Sequence, residues 1–276
     1  MNLIISLIKL SRPSNVCIAF LTIFVAAEIA GGLDPINNVI LAAISAALIT
    51  IGANVINDYF DIEIDKINKP HRPLAAGRIS KKTALYYFVT VFFVAWFLAF
   101  NINYSMFLIA FIVGILLFFY SFRFKRTIIW GNLLVSSVIA MAFVYGGGAV
   151  NNYTETLIPS AFAFFFTFGR EILKDIQDIK GDQKEGAITF PIKYGVKKSL
   201  KLIYVVFILL VIITVIPYIF NIYGIKYFLT ICFGVYPVLL YAAYWSWMNT
   251  TSKSLGIISN LLKADMIIGL LAIYLN

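Results

Sequence analysis

Charge is scarce in this 276-residue sequence: Asp, Glu, Lys and Arg make up 13% of it, where soluble domains carry roughly 25%. Long polar stretches are missing too. The longest lie near residues 61–82 and 174–201, too short to build a soluble domain of their own. Histidine occurs once and cysteine twice. Cys17 and Cys232 fall in or beside apolar runs, where a thiol behaves as a small hydrophobe, so a disulfide framework is not expected. The net charge of +9 is spread between hydrophobic segments, with no soluble platform to present it to nucleic acid. Anionic lipid head groups and phosphorylated substrates suit it better.

What the chain has is apolar surface: 61% of residues are hydrophobic and the mean hydropathy is +0.91. Apolar runs recur over residues 14–32, 38–60, 83–101, 104–122, 129–149, 157–175, 200–219, 226–246 and 255–275. Each is long enough to cross a hydrocarbon core of roughly 30 Å as a helix. The sequence thus predicts an all-α membrane protein, a bundle of nine transmembrane helices in a single domain over residues 1–276. The basic start at Lys9 and Arg12 resembles a signal peptide's but lacks a small-residue cleavage pattern, so the first run is kept as a mature helix.

Nine spans place alternate loops on opposite faces. One face then receives Lys9, Arg12, the cluster from Lys66 to Lys82, Arg123, Lys125, Arg126, the run from Lys174 to Lys201, and Lys253, while the other receives Lys226. The positive-inside bias makes the basic face, with the N-terminus, cytoplasmic in a multi-pass cell-membrane protein.

Nine of the 13 acidic residues fall within residues 58–65 and 171–185. The first segment carries Asn54, Asp58, Asp61 and Asp65; the second carries Glu171, Asp175, Asp178 and Asp182. Aspartates stand at i, i+3 and i+7 in both, and each member of the second set follows its counterpart by 117 residues. On a helix this spacing makes one stripe. Four spans separate the sets, so both emerge on the same face and can face each other across a bundle.

Like charges crowded beside a bilayer call for a compensating cation. Oxygen-only ligands favour magnesium or calcium over zinc, and magnesium fills its shell with water and substrate phosphate. Two such sites can clamp a diphosphate. The loop after Asp65 supplies Lys66, Lys69, His71, Arg72 and Arg78, and the next loop on that face supplies Lys125 and Arg126, groups suited to phosphate oxygens. Metal and basic groups together stabilise charge on a departing diphosphate. The allylic cation left behind needs a water-poor cavity, which a membrane bundle rich in Phe and Tyr provides.

These residues resemble those of the UbiA superfamily of intramembrane prenyltransferases. The stretch from Asn54 to Asp65 looks like the family's first motif and Asp175 to Asp182 like its second; Lys69 to Leu74 and Tyr120 to Arg126 are similar to family loops. The resemblance covers essentially the whole chain. It implies a magnesium-dependent enzyme, with catalytic roles for Asp58, Asp61, Asp175, Asp178 and Tyr120 and metal ligation by Asn54, Asp58, Asp61, Asp65, Glu171, Asp175, Asp178 and Asp182. Lys69, Arg72, Lys125 and Arg126 would bind the diphosphate. In many members the tyrosine precedes the loop lysine by four positions; here the interval is five.

Within the superfamily, the short chain, minimal loops and Ile/Lys/Asn-rich composition look most like members that make archaeal ether lipids. This implies transfer of a geranylgeranyl group from its diphosphate to the hydroxyl of geranylgeranylglyceryl phosphate, an isoprenoid diphosphate meeting a lipid-phosphate acceptor. Aromatic acceptors, 4-hydroxybenzoate or a naphthoate, would leave the metal motifs unchanged, and Arg12 suits an acceptor's phosphate or carboxylate equally. The alternative from another class is a secondary transporter with acidic ion ligands, although such sites lie near the midplane. Gly146 to Gly148 lack a following P-loop lysine and are read as close helix packing. His71 is read as an exposed loop residue.

Overall fold

The computed structural model describes residues 3–184 and 186–276, so Glu185 of the second acidic segment lies outside the described residues. Among the described residues there are helices and no strands. Eight helices of the described residues are long and apolar enough to cross a membrane, and nine if the bent pair of α1 (Leu3–Ser11) and α2 (Pro13–Ile29) is one span. The chain is a multi-pass membrane protein. Its first span is broken by 52° at Arg12, whose φ of 53° is left-handed. A proline follows, and it disfavours the right-handed helical region at Arg12.

The remaining order is α3 (Ile36–Phe60), α4 (Ile62–Asn68), α5 (Lys81–Phe100), α6 (Tyr104–Phe122), α7 (Trp130–Ala149), α8 (Leu157–Lys184), α9 (Phe190–Tyr194), α10 (Val196–Ile219), α11 (Ile225–Thr230), α12 (Tyr236–Met248) and α13 (Ser252–Tyr274). A π-helical turn, Ile231–Val235, joins α11 to α12 two residues before Pro237. Side chains close several helix starts. Ser80 accepts from Thr83 N at 3.0 Å and Asn103 from Met106 N at 2.8 Å, each pairing an amide that the first turn leaves open.

The chain divides into two compact units. The first comprises residues up to Arg126, Met141–Leu157 and Lys180–Ala187. Its axis is α3, which packs on α1, α2, α5 and α6. Leu10, Val55, Ile62, Leu74, Ile79 and Ala84 form a buried cluster that includes two apolar residues of the Asn54–Asp65 stretch. Helices approach closely where side chains vanish. A Cβ on Gly146 would lie 2.6 Å from Ala26 Cβ and 2.8 Å from the Ile23 carbonyl oxygen, which supports the packing role read for this glycine run. Two polar side chains of this unit's spans are paired, as hydrocarbon favours: Tyr145 donates to Ser45 Oγ at 3.0 Å, and Ser45 donates to the Ala95 carbonyl at 2.9 Å.

The second unit comprises Thr127–Ala140, Ile158–Ile179 and Ile188–Asn276. Here α13 packs on α11 and α12, and α10 on α12, burying Ile203, Leu255, Ile258 and Leu262 almost completely. Arg170 Nε donates to the Ser259 carbonyl at 3.1 Å, tying α8 to α13. Large apolar side chains stand outward in both units, with Phe93 70%, Leu240 71% and Phe233 79% exposed. Such patches are a liability in water and the expected surface in lipid.

Candidate active site

The first acidic segment is built where α3 ends. The chain leaves helical geometry for one residue at Asp61 (φ −96°, ψ 9°) and resumes as α4. The stripe expected on one continuous helix is therefore broken at its middle carboxylate. The hydrogen-bond ladder still crosses the break, since Asp61 N donates to the Asn57 carbonyl at 3.0 Å and Asp65 N to the Asp61 carbonyl at 2.7 Å. Asp58, Asp61 and Asp65 are 2%, 1% and 3% exposed, which denies them bulk solvation and makes partners obligatory.

Those partners are basic. Arg72 Nη1 lies 3.0 Å from Asp58 Oδ1 and 2.6 Å from Asp65 Oδ2, joining the two. Arg12, from the break between α1 and α2, forms a second ion pair with Asp58. Lys125 pairs with Asp61, which also accepts from Asn57 Nδ2 at 3.0 Å. The segment from Tyr120 to Arg126 thus contributes one cation directly. Arg126 does something different: it donates to the Phe60 carbonyl at 3.3 Å, satisfying a group the C-terminus of α3 leaves open. Its Nε is buried with no hydrogen-bond partner among the described residues.

Electrostatics follow from this crowding. Burial lifts the Asp65 carboxyl above the usual carboxylate value, and the neighbouring Asp58 and Asp61 add to the lift against the pull of Arg72. Burial works against charge on Lys125, yet Asp61 holds its ammonium above the ordinary lysine range. Each of these cations offsets charge that would otherwise be uncompensated.

Asn54, expected as a metal ligand one turn before Asp58, is buried and donates Nδ2 to the Ser11 carbonyl at 2.9 Å, while its Oδ1 accepts from Asn15 Nδ2 at 3.3 Å. It therefore also fastens the broken first span to α3. Ser11 and Asn15 join the site without having been expected there; a lone asparagine inside an apolar run is the signal that points to Asn15.

On α8, Glu171 is ion-paired with Lys174 at 2.7 Å and with Arg170 at 3.5 Å. Asp175 Oδ2 accepts from Asn132 Nδ2 at 2.9 Å. Asn132 is buried on α7 and was not among the expected residues. The helix runs to Lys184, well past the predicted span end at 175, and so carries Asp178 and Asp182 as well. Asp182 is buried and falls in the first unit with Asp58, Asp61 and Asp65. Its neighbour Gly181 abuts Asn68 so closely that a Cβ there would lie 2.3 Å from Asn68 Nδ2. One end of the second motif thus sits beside α4, which carries the end of the first.

Tyr120 is half-buried on the last turn of α6, Lys69 is half-buried just after α4, and His71 is exposed. Among the described residues, no three His, Cys, Asp or Glu side chains already converge as a closed metal cage. The donor set is nonetheless the right one for a hard cation shared with phosphate: buried carboxylates with an amide oxygen, and basic groups at hand for the anion.

Known proteins resemble this chain along nearly its whole length. A digeranylgeranylglyceryl phosphate synthase from Methanosphaera stadtmanae is 36% identical over 261 residues, covering 95% of each chain. A solved structure from a study of digeranylgeranylglyceryl phosphate synthase in membranes superposes with a TM-score of 0.76 at 32% identity, covering 99% of this chain and 98% of that one. A UbiA homologue from Archaeoglobus fulgidus, bound to DMAPP and Mg2+, shares the fold with a TM-score of 0.66 at 21% identity, covering 96% and 99%. The UbiA prenyltransferase family model matches residues 18–258, and with a relative of that identity along nearly the whole chain, this protein belongs to the UbiA prenyltransferase family.

Proposed function

We propose that this enzyme transfers a geranylgeranyl group from geranylgeranyl diphosphate to the hydroxyl of geranylgeranylglyceryl phosphate, with Mg2+, in ether phospholipid synthesis. The observation that carries the reading is the buried row Asp58, Asp61 and Asp65, each paired to a cation, in a chain so similar to named digeranylgeranylglyceryl phosphate synthases. Bound magnesium supplies charge neutralisation on the leaving diphosphate. Residues 1–276 make up a single transferase domain whose carboxylates, N-terminus and basic loops lie on the cytoplasmic side, a reading supported by the Lys/Arg distribution.

In this reading Asn54, Asp58, Asp61 and Asp65 of the first motif, and Glu171, Asp175, Asp178 and Asp182 of the second, are metal ligands. Lys69, Arg72, Lys125 and Arg126 draw the diphosphate oxygens into place, where they stabilise the charge that grows as the carbon–oxygen bond opens. Tyr120 offers a ring face to the allylic cation. Arg12 holds the acceptor's phosphate. The apolar spans exclude water from the cation, so the acceptor hydroxyl oxygen captures it and gives up its proton to the departed diphosphate. Family membership sets aside the transporter alternative.

The test is an acceptor panel with the purified protein, Mg2+ and geranylgeranyl diphosphate, read by mass spectrometry. The expected result is digeranylgeranylglyceryl phosphate from the lipid acceptor. Prenylated 4-hydroxybenzoate or naphthoate with no lipid product would overturn the assignment of acceptor.

A further inference from the structure

Basic side chains engage each aspartate of the first acidic segment. Arg12, Arg72 and Lys125 meet Asp58, Asp61 and Asp65, and all six belong to the same unit. The carboxylate side chains are 2–4% exposed, while Arg72 is 17% and Arg12 and Lys125 each 26% exposed. The bases therefore lie on the more accessible side of a sealed acidic row. All three have long stems that can change partner without disturbing the backbone.

Resting on the prenyl-transfer reading, we propose that these three side chains are exchange partners: they make metal and diphosphate enter the first segment together, and neither binds it well alone. A divalent ion arriving by itself adds two positive charges to a row already neutralised, and must displace an ion pair to reach a ligand. A diphosphate arriving by itself brings negative charge toward three buried carboxylates and can recruit the bases only by stripping them of compensation. Both are costly where the effective dielectric is low. When both arrive, the carboxylates turn to metal, Arg72 and Lys125 turn to the diphosphate oxygens and Arg12 is released from Asp58, so the buried charges keep opposite neighbours. Arg12 is set up for such a change. It sits at the break in the first span with a left-handed backbone, a conformation that an ordinary residue keeps only when its surroundings impose it. The exchange also frees Arg12 for the acceptor's anion, placing acceptor capture after the diphosphate is seated.

The test measures protein-bound Mn2+ by equilibrium dialysis of the full chain in nanodiscs, at matched free Mn2+, with and without inorganic pyrophosphate. In the wild type, pyrophosphate is expected to tighten Mn2+ at least tenfold. Arg72→Gln is expected to bind Mn2+ alone at least tenfold more tightly than wild type and to lose most of the pyrophosphate effect. Lys125→Gln, on a loop, provides a second variant, and circular dichroism checks that both fold. Wild-type Mn2+ binding indifferent to pyrophosphate, or glutamine variants that bind Mn2+ alone no better than wild type, would overturn the exchange. Neither readout requires turnover, so a protein that shows the linkage but makes no prenylated product refutes the proposed function and leaves this inference standing.

Discussion

Asn132 on α7 holds Asp175 on α8 by a single hydrogen bond, Nδ2 to Oδ2 at 2.9 Å. An amide donor in that place fixes which way the carboxylate faces. Groups that orient a metal-binding side chain typically account for about 10- to 100-fold of metal affinity or activity. Asn132→Leu should therefore fold normally and lose prenyl transfer by about that factor, with the loss reduced at high Mg2+. Initial rates over a magnesium titration check it; a wild-type rate at low magnesium would remove Asn132 from the site.

Arg72 serves two acids seven residues apart, at 3.0 Å from Asp58 and 2.6 Å from Asp65. Lysine keeps the charge but not the planar fork. Arg72→Lys should raise KM for geranylgeranyl diphosphate by about tenfold or more, the order expected for one charge-assisted hydrogen bond. Steady-state kinetics with saturating acceptor decide this, and an unchanged KM would contradict the role given to Arg72.

Gly146 leaves no room for a side chain against α2, because backbone and Cβ atoms of Ile23 and Ala26 occupy the space. Gly146→Leu should cost at least about 1–3 kcal/mol by overpacking, seen as a lower thermal midpoint in detergent. Gly269 on α13 meets nothing within 4 Å, so Gly269→Ala should hold or raise the midpoint, by up to about 1 kcal/mol of helix propensity. A reversal of that order would show that α7 does not approach α2 as described.

Asp265 on α13 is 2% exposed, and both its carboxylate oxygens are without a hydrogen-bond partner among the described residues. A buried polar group in that condition opposes folding. Asp265→Leu should raise the thermal midpoint, by about 1 kcal/mol or more; a fall would mean that this carboxylate has a stabilising partner or ligand.

Spans and site were legible in the sequence to different degrees, for physical reasons. Apolar length reports where the chain meets lipid, so the boundaries of α3, α5, α6 and α7 were readable to within a few residues. It does not report where a helix ends. The α8 helix leaves the apolar region near Asp175 and continues to Lys184, because a helix does not need lipid once its own ladder is formed. The i, i+3, i+7 spacing identified the acidic residues, yet the same spacing survives the interruption at Asp61 and cannot reveal it. Pairs remote in sequence were beyond a local reading. Arg12 meets Asp58 across 46 residues and Asn132 meets Asp175 across 43, and only folding brings them together. The reading of Arg126 as a phosphate ligand rests on its charge, its loop and the family resemblance; its hydrogen bond to the Phe60 carbonyl depends on where α3 stops.

The most direct measurement is the rate of digeranylgeranylglyceryl phosphate formation by Asp58→Asn and Asp175→Asn, each made alone in protein shown to be folded. If Asp58 and Asp175 each hold metal for the reaction, either substitution should lower the rate by about 100-fold or more, as when a charge-stabilising group is removed from the transition state. Wild-type turnover in either variant would contradict the account.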